Sequence, residues 1–359
     1  MLTVPADLLN RQIVEVFTAW GIPGGYADTA ARIMVDTDLK GIDSHGIGML
    51  PGYRNMRRNG KIVVDGEITV VRDLPSMALI DGGHGLGHPV AEKAMGLAIG
   101  KAKQSGIGLI SVRNSNHYGA AGYYAAMAPE EGLIGISLTG TPSSLVVPTF
   151  GKRTMFGTNP IAFAAPARRN PPFLLDMATS TVAIGKLSVA VRAGIDIPLG
   201  WAMDRDGRPT TDAPAAMEAR RLTPLGGSRE MGSHKGYGLA AMVDILSSVL
   251  SGAAMFRVDE FTGRSQAAGN VGHFFLAADP AAVRGDDGFP DEMDDLIDAL
   301  HATEPADPGQ PVLVAGDPER AAYAERSKSG IPVTGRLAEE IREVARECNA
   351  PYLLEGSDA

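Results

Sequence analysis

The chain has 359 residues, 44% of them hydrophobic and 21% charged, with a net charge of −9 and one cysteine, Cys348. That length allows roughly two domains with a sizeable core. The acidic balance excludes a nucleic-acid-binding surface or a basic membrane patch, both of which need clustered Lys and Arg. A lone cysteine excludes an intrachain disulfide and reads as a packed thiol in a reducing compartment, with the cytoplasm as the default location.

The opening MLTVPADLLNRQ has no basic stretch followed by an apolar run, so no signal peptide is expected. Residues 5–20 predict an amphipathic helix: Leu9, Ile13, Val16, Phe17 and Trp20 share a stripe, Pro5 suits the first turn and Gly21 ends it. A second helix is expected from an N-cap at Asp28 to Leu39, broken by Gly41. Short apolar or β-branched runs at 62–73, 76–82, 106–114, 132–140, 161–167 and 172–178, bounded by Gly, Pro and Asp, predict strands. Between two of them, residues 88–106 read as a helix with Val90, Ala94, Leu97 and Ala98 on one face. The centre is therefore α+β or α/β. The 44 glycines and 24 prolines fall at its junctions, which suits many turns. Residues 238–256 are apolar enough to raise a membrane span, but Asp244 lies inside, and an acid at bilayer centre costs roughly 2.5–3.5 kcal/mol. A buried helix is expected there. Acidic residues 285–295 read as a loop leading into a helix with Met293, Leu296, Ile297 and Leu300 on one face. A last stripe is formed by Leu337, Ile341, Val344, Ala345 and Cys348. Both ends are helical and could share one layer.

The usual dinucleotide signature is absent. GGHGLGHP at 82–89 follows a strand-like run and precedes a helix, but its glycines lack the GxGxxG spacing and no acidic partner follows about twenty residues on. The simpler expectation is a flexible turn with His84 and His88 exposed. There is no Walker lysine and no HExxH, and seven scattered histidines do not predict a metal site.

Five polar clusters remain. GIDSHGIGMLPGY places Ser44 and His45 on a glycine-bounded turn after a helix; the bland alternative is local turn bonding and a helix cap. RNSNHYGAAGYYAA sets His117 beside Asn114, Ser115 and Asn116, with small residues after it. An imidazole so placed suits proton transfer, although a lone histidine is more often a satisfied core residue. FGTNPIAFAAP holds Thr158 and Asn159 in a turn before a strand. LLDMATSTVAIGK supplies Asp176, Thr179, Ser180 and Lys186 after a strand, suited to ribose and phosphate oxygens or to a plain N-cap. PLGGSREMGSHKGYGLAA puts Lys235 among glycines before a helix, an arrangement that suits an anion.

Taken in this order, the clusters resemble the type-2 malate/L-lactate dehydrogenase family, NAD(P)-dependent oxidoreductases that also include ureidoglycolate, sulfolactate, diketogulonate and piperideine-carboxylate enzymes. The matching segments are DSHGIGMLPGY, DGGHGLGHPVAEKAM, VRNSNHYGAAGYYA, GTNPIAFAAP, DMATSTVAIGK, TPLGG, HKGYGLAAMVDILSSVLSGA and GIPV, spread over nearly the whole chain. The resemblance implies an α+β fold with a mostly antiparallel, non-Rossmann dinucleotide-binding sheet and a helical domain built from both chain ends. In that division residues 1–75 and 286–359 are helical and 76–285 bind cofactor and substrate. It implies a homodimer acting on a small 2-oxo or 2-hydroxy acid, with no nucleic acid, membrane or metal partner.

The resemblance further implies that His117 is the acid/base, with Ser44 and His45 on the substrate oxygens. Both histidines are credited with proton transfer within the family, so all three are carried as catalytic. Asn114, Met49, Arg54, Thr158 and Asn159 fall on the substrate side. The implied dinucleotide contacts, with NAD favoured over NADP, are Thr139, Thr141, Asp176, Met177, Ala178, Thr179, Ser180, Thr181, Val182, Lys186, Lys235, Gly316, Asp317, Pro318 and Glu319. One departure stands out: the family commonly reads SHGxxRLPRY, and here Met49 and Gly52 replace both arginines. A guanidinium is the natural bidentate clamp for a carboxylate, so a monocarboxylic or bulky substrate is expected ahead of malate. The alternative is a catalytically silent NAD-binding family member.

Overall fold

Leu9, Ile13, Val16 and Phe17 are all fully buried on α1 (Ala6–Ala19), as their spacing requires. The computed structural model, which describes residues 2–141, 144–255 and 270–354, packs this stripe against α2 (Gly24–Leu39), α3 (Leu50–Arg58) and α12 (Gly335–Glu347) in one apolar core. β1 (Leu2–Val4) pairs antiparallel with β12 (Ile331–Val333), which ties the beginning of the chain to its last helix. α2 begins four residues before the expected Asp28. Pro23, with φ −53° and ψ 138°, is its N-cap, because the ring presets the entry to the helix.

The central sheet has seven strands in the order β2-β3-β4-β11-β5-β6-β7. They are β2 (Thr69–Asp73), β3 (Met77–Asp81), β4 (Ile107–Ser115), β5 (Ile134–Thr139), β6 (Ile161–Ala165), β7 (Phe173–Met177) and β11 (Val271–Ala278). Only β3 and β4 run parallel; the other pairings are antiparallel. The parallel pair needs a long crossover, and α4 (Gly87–Ser105) provides it. Side chains on β11 alternate. Phe275 and Ala277 join the core under α4 and α5 (Ala121–Ala126), while Phe274 and Leu276 face α8 (Ser233–Asp244) on the other side. The fold is thus a mixed α/β architecture on a mostly antiparallel sheet. A small three-stranded sheet of β8 (Ala202–Met203), β9 (Pro209–Thr210) and β10 (Arg221–Leu222) packs with α6 (Ile184–Ala193) and α7 (Ala213–Ala219).

Several expectations change. Of the run 62–73 only β2 is strand. The preceding segment crosses the glycine loop, where a Cβ on Gly66 would lie 2.3 Å from the Gly83 carbonyl oxygen. β11, at the centre of the sheet, was not anticipated. The helix expected near 293–300 is α10 (Phe289–His301), yet Leu296 is 51% exposed and Asp294 is fully buried. Asp294 accepts backbone N–H groups of Arg169 and Asn170, so a carboxylate anchors α10 to the β6–β7 turn, and of the expected stripe Ile297 is buried. The segment 238–256 forms the end of α8 and a π-helical turn, Ile245–Val249; its last residue, Phe256, lies outside the described residues. Among the described residues no helix is long and apolar enough to cross a membrane. The remaining helices among the described residues are α9 (Pro280–Arg284) and α11 (Asp317–Ser329).

Candidate active site

α2 ends at Leu39, and Gly41, with φ 80°, turns the chain toward Ser44 and His45. Beneath this turn lies Asp38, 2% exposed. Its Oδ2 accepts from the Ile47 N–H at 2.8 Å, and a Cβ on Gly46 would lie 1.9 Å from its Oδ1. Only glycine lets the backbone pass so close. Arg326 of α11 donates to the Asp38 carbonyl and to the Asp43 carboxylate, closing the turn from outside. Burial pushes the Asp38 carboxyl up to about 7; the Ile47 N–H and Arg326 oppose the rise and the nearby Asp43 adds to it.

Ser44 Oγ and His45 Nδ1 are 2.7 Å apart. The His45 ring stacks on that of His117, with centroids 5.4 Å apart and planes at 25°. His117 Nδ1 is 2.8 Å from the hydroxyl of Tyr53, a fully buried residue of α3. The strand leading to His117 is clamped by the glycine loop: the Asn116 amide donates to the carbonyls of Lys61, His84 and Gly85. A Cβ on Gly87 would lie 2.3 Å from the Asn116 carbonyl oxygen. GGHGLGHP is therefore a tight brace for the His117 segment, and His88, expected to be exposed, is fully buried. Burial lowers the proton affinity of His45, and burial followed by the like charges of His45, His88 and His273 lowers that of His117 well below the usual histidine range.

A cleft of about 320 Å³ is lined by Asp36, Lys40, Leu174, Gly316, Glu319, Arg320 and Tyr323. Ala120, Gly122 and Asp176 line its inner continuation. Gly122 N donates to Asp176 Oδ2 at 2.7 Å, and a Cβ there would lie 2.9 Å from that oxygen. The Asp176 carboxylate opens onto the cleft, but surrounding protein and then the Glu319 charge raise it to about 6 against the Gly122 hydrogen bond.

Ser44, His45 and His117 thus meet, and Asp176, Gly316 and Glu319 share the cleft. Other candidates are committed elsewhere. Asn114, in a left-handed conformation (φ 52°), donates to Asp81. Met49 packs onto the helical core, and Arg54 turns to Glu347 of α12. The Thr158 carbonyl accepts from Thr179. Asn159 is buried and bonds the Ala240 carbonyl and Asp244. The Thr139 hydroxyl meets His273 Nδ1 at 2.7 Å, and Thr141 follows Gly140 out of β5. Met177 closes β7 and Ala178 follows it. The hydroxyls of Thr179, Ser180 and Thr181 go to the carbonyls of Thr158, Val182 and Pro224, and Val182 packs with the small sheet. Lys186 on α6 and Lys235 in the first turn of α8 are exposed. Gly316, with φ 99°, caps α11, where Pro318 occupies the first turn and Asp317 is paired with His301 and Arg320. These partners hold the Asp317 carboxyl down at about 2 despite the opposing cost of its partial burial. Tyr53, His88, Asp38 and Gly122 were not anticipated. Tyr53 closes the GMLPGY segment three residues into α3, a position that could have marked it.

A family model for malate/L-lactate dehydrogenase matches residues 4–342. Malate dehydrogenase of Pyrococcus horikoshii is 44% identical over 346 residues, 96% of this chain and 95% of that protein. L-sulfolactate dehydrogenase of Methanocaldococcus jannaschii is 39% identical over 338 residues, 94% of this chain and 95% of that protein. The solved structure of the Pyrococcus horikoshii malate dehydrogenase matches with a TM-score of 0.87, covering 98% of this chain and 97% of that one at 40% identity. The family match and these relatives define an oxidoreductase of the NAD(P)-dependent hydroxy acid dehydrogenase type. The chain belongs to the malate/L-lactate dehydrogenase family.

Proposed function

We propose that this enzyme interconverts a 2-hydroxy acid and a 2-oxo acid, with His117 as acid/base and Ser44 and His45 on the substrate oxygens. The stacked His45–His117 pair, with Ser44 on one ring and Tyr53 on the other, carries this reading. In the oxidising direction neutral His117 accepts the substrate hydroxyl proton; in the reducing direction its imidazolium returns a proton to the carbonyl oxygen. Ser44 and His45 orient that oxygen from the facing turn.

A bound nicotinamide dinucleotide supplies or accepts the hydride. The chemistry of the cleft suits such a group: Gly122 lets the Asp176 carboxylate sit against the backbone, and Asp176 and Glu319 offer acceptors for ribose hydroxyls. Asp36, Asp176 and Glu319 outnumber Lys40 and Arg320 in the cleft, an acidic balance that opposes an added phosphate and supports NAD over NADP. With their hydroxyls engaged, residues 179–181 would contact it through the backbone, and Lys235 through charge. In this reading the central sheet carries the dinucleotide and the helices at both chain ends form the second domain. The exposed Ile245, Val249 and Leu250 support a homodimer. One cysteine suits a reducing compartment, and we place the enzyme in the cytoplasm.

On the substrate side, Met49 and Gly52 offer no cation and Arg54 is engaged by Glu347, which supports a monocarboxylic or bulky apolar acid. The relatives named for malate and sulfolactate, each with a second acidic group, favour the opposite preference. The kcat/KM ratio for oxaloacetate against a branched or aromatic 2-oxo acid decides, and Met49→Arg should shift it toward oxaloacetate. A wild type that prefers oxaloacetate overturns the apolar-pocket assignment. Nicotinamide absorbance followed over a panel of 2-oxo acids tests the activity; bound NADH with no turnover of any member would instead indicate a silent binder.

A further inference from the structure

The Tyr53 hydroxyl stands between two imidazoles. It is 2.8 Å from His117 Nδ1 and 3.4 Å from His88 Nε2. The His88 ring meets the Tyr53 ring edge-on, with centroids 5.6 Å apart. Tyr53 and His88 are both fully buried. Gly119 allows the approach, since a Cβ on it would lie 3.1 Å from His88 Nε2. The other nitrogen, His88 Nδ1, is buried with no hydrogen-bond partner among the described residues. An imidazole with one nitrogen unpaired is a poor space-filler; an apolar ring would fill the position without that loss. Its remaining nitrogen faces Tyr53.

We propose that His88 is a positioning residue that accepts a hydrogen bond from the Tyr53 hydroxyl and thereby holds His117 in the tautomer with the proton on Nδ1. The inference rests on the assignment of His117 as acid/base. A neutral imidazole that accepts a substrate proton on Nε2 must carry its own proton on Nδ1, and the imidazolium carries one there as well. In both states Nδ1–H donates to the Tyr53 oxygen at 2.8 Å rather than accepting the longer contact from the Gly119 N–H at 3.4 Å, so the hydroxyl must send its own proton elsewhere. His88 Nε2 is the acceptor within reach. Without it, the buried hydroxyl would donate to His117 Nδ1, fix the Nε2–H tautomer and oppose protonation. His88 would thus act on His117 as a third group orients the base of a catalytic pair, but with a neutral acceptor. The other titratable groups facing His117 are His45 across the stack and His273 of β11.

The test uses the full-length enzyme with ¹⁵N-labelled histidine and long-range ¹H–¹⁵N correlation, which reads the tautomer of His117 without substrate. At alkaline pH the wild type should show Nδ1–H. His88→Phe and His88→Leu should move the proton to Nε2, and His88→Gln, whose amide oxygen can accept, should restore Nδ1–H. In turnover the apolar variants should lose kcat by roughly 10–100-fold, by analogy with loss of the hydrogen-bond partner of a metal-bound histidine, with KM little changed. In a Tyr53→Phe background the same substitutions should cost nothing further. An Nε2–H tautomer in the wild type overturns the proposal even if neither apolar variant folds. So does an unchanged tautomer in the variants, or an equal kinetic loss without the Tyr53 hydroxyl. An enzyme that turns over no 2-oxo acid would refute the proposed activity and leave the tautomer result readable by itself.

Discussion

His45 lies stacked on His117, its ring centroid 5.4 Å from that of its partner. Two imidazolium ions so placed repel each other, and burial adds to the cost of either. His117 is therefore held mainly neutral through the physiological range. Oxidation needs the neutral base, so its kcat/KM should be flat from about pH 6.5 upward, near the ordinary histidine pKa. Reduction needs the imidazolium, so its kcat/KM should keep rising as pH falls below that value. A pH profile in both directions checks this; a reduction limb that levels off near pH 7 contradicts it. His45→Gln should move the limb to higher pH by removing the like charge.

Asp38 should weaken the fold at alkaline pH. Its carboxyl is raised to about 7 in the folded protein, above the usual unfolded value of about 3.9. Its contribution is then fully present below the unfolded pKa and is lost as pH rises through the folded one. Asp38→Asn keeps an acceptor for Ile47 N–H and removes the titration. It should stabilise the protein at pH 8 relative to pH 5, with an upper limit of about 4 kcal/mol. Thermal unfolding of both proteins at the two pH values measures the difference; a variant less stable than wild type at pH 8 refutes the assignment.

Two glycines of α4 should respond oppositely to alanine. At Gly87 the new Cβ would lie 2.3 Å from the Asn116 carbonyl oxygen and 2.5 Å from that of His117, both backbone atoms that cannot step aside. Gly87→Ala should cost roughly 1–3 kcal/mol or more and displace His117, lowering kcat as well as Tm. At Gly96, in the same helix, nothing lies within 4 Å of the added atom, and alanine should stabilise by roughly 0.5–1 kcal/mol. Equal Tm values for the two variants would show that the brace is slack.

Lys235 stands exposed in the first turn of α8, where backbone N–H groups and a cation together favour an anion. Lys235→Met should weaken dinucleotide binding in calorimetry and leave the substrate KM nearly unchanged. An unaltered dinucleotide Kd with a raised KM would move Lys235 to the substrate side.

Local pattern revealed much of this molecule. The α1 stripe and one strand in each of the six predicted runs follow from spacing and composition, and the family resemblance singled out Ser44, His45 and His117. What escaped depends on long-range pairing. VGHFFLAA reads as strand in retrospect, but nothing local places it between β4 and β5 at the centre of the sheet. Nor does local pattern say where a polar group spends its hydrogen bonds. The hydroxyls of residues 179–181, read as cofactor contacts, go to neighbouring carbonyls. His88, read as exposed, is buried because the glycines beside it let α4 start against the His117 segment. Periodicity found α10 and its buried Ile297, but not the buried carboxylate that anchors it or the exposure of Leu296 and Leu300.

The central claim is that His117 moves the proton. The most direct measurement is kcat for His117→Ala and His45→Ala, with dinucleotide Kd determined on the same preparations. His117→Ala should bind the dinucleotide as wild type does and lose roughly 10²–10⁴-fold in kcat, the usual contribution of a general acid–base group, while His45→Ala should lose less and show it partly in KM. Near-wild-type kcat in His117→Ala, with turnover abolished in His45→Ala, would contradict the account and reverse the two roles.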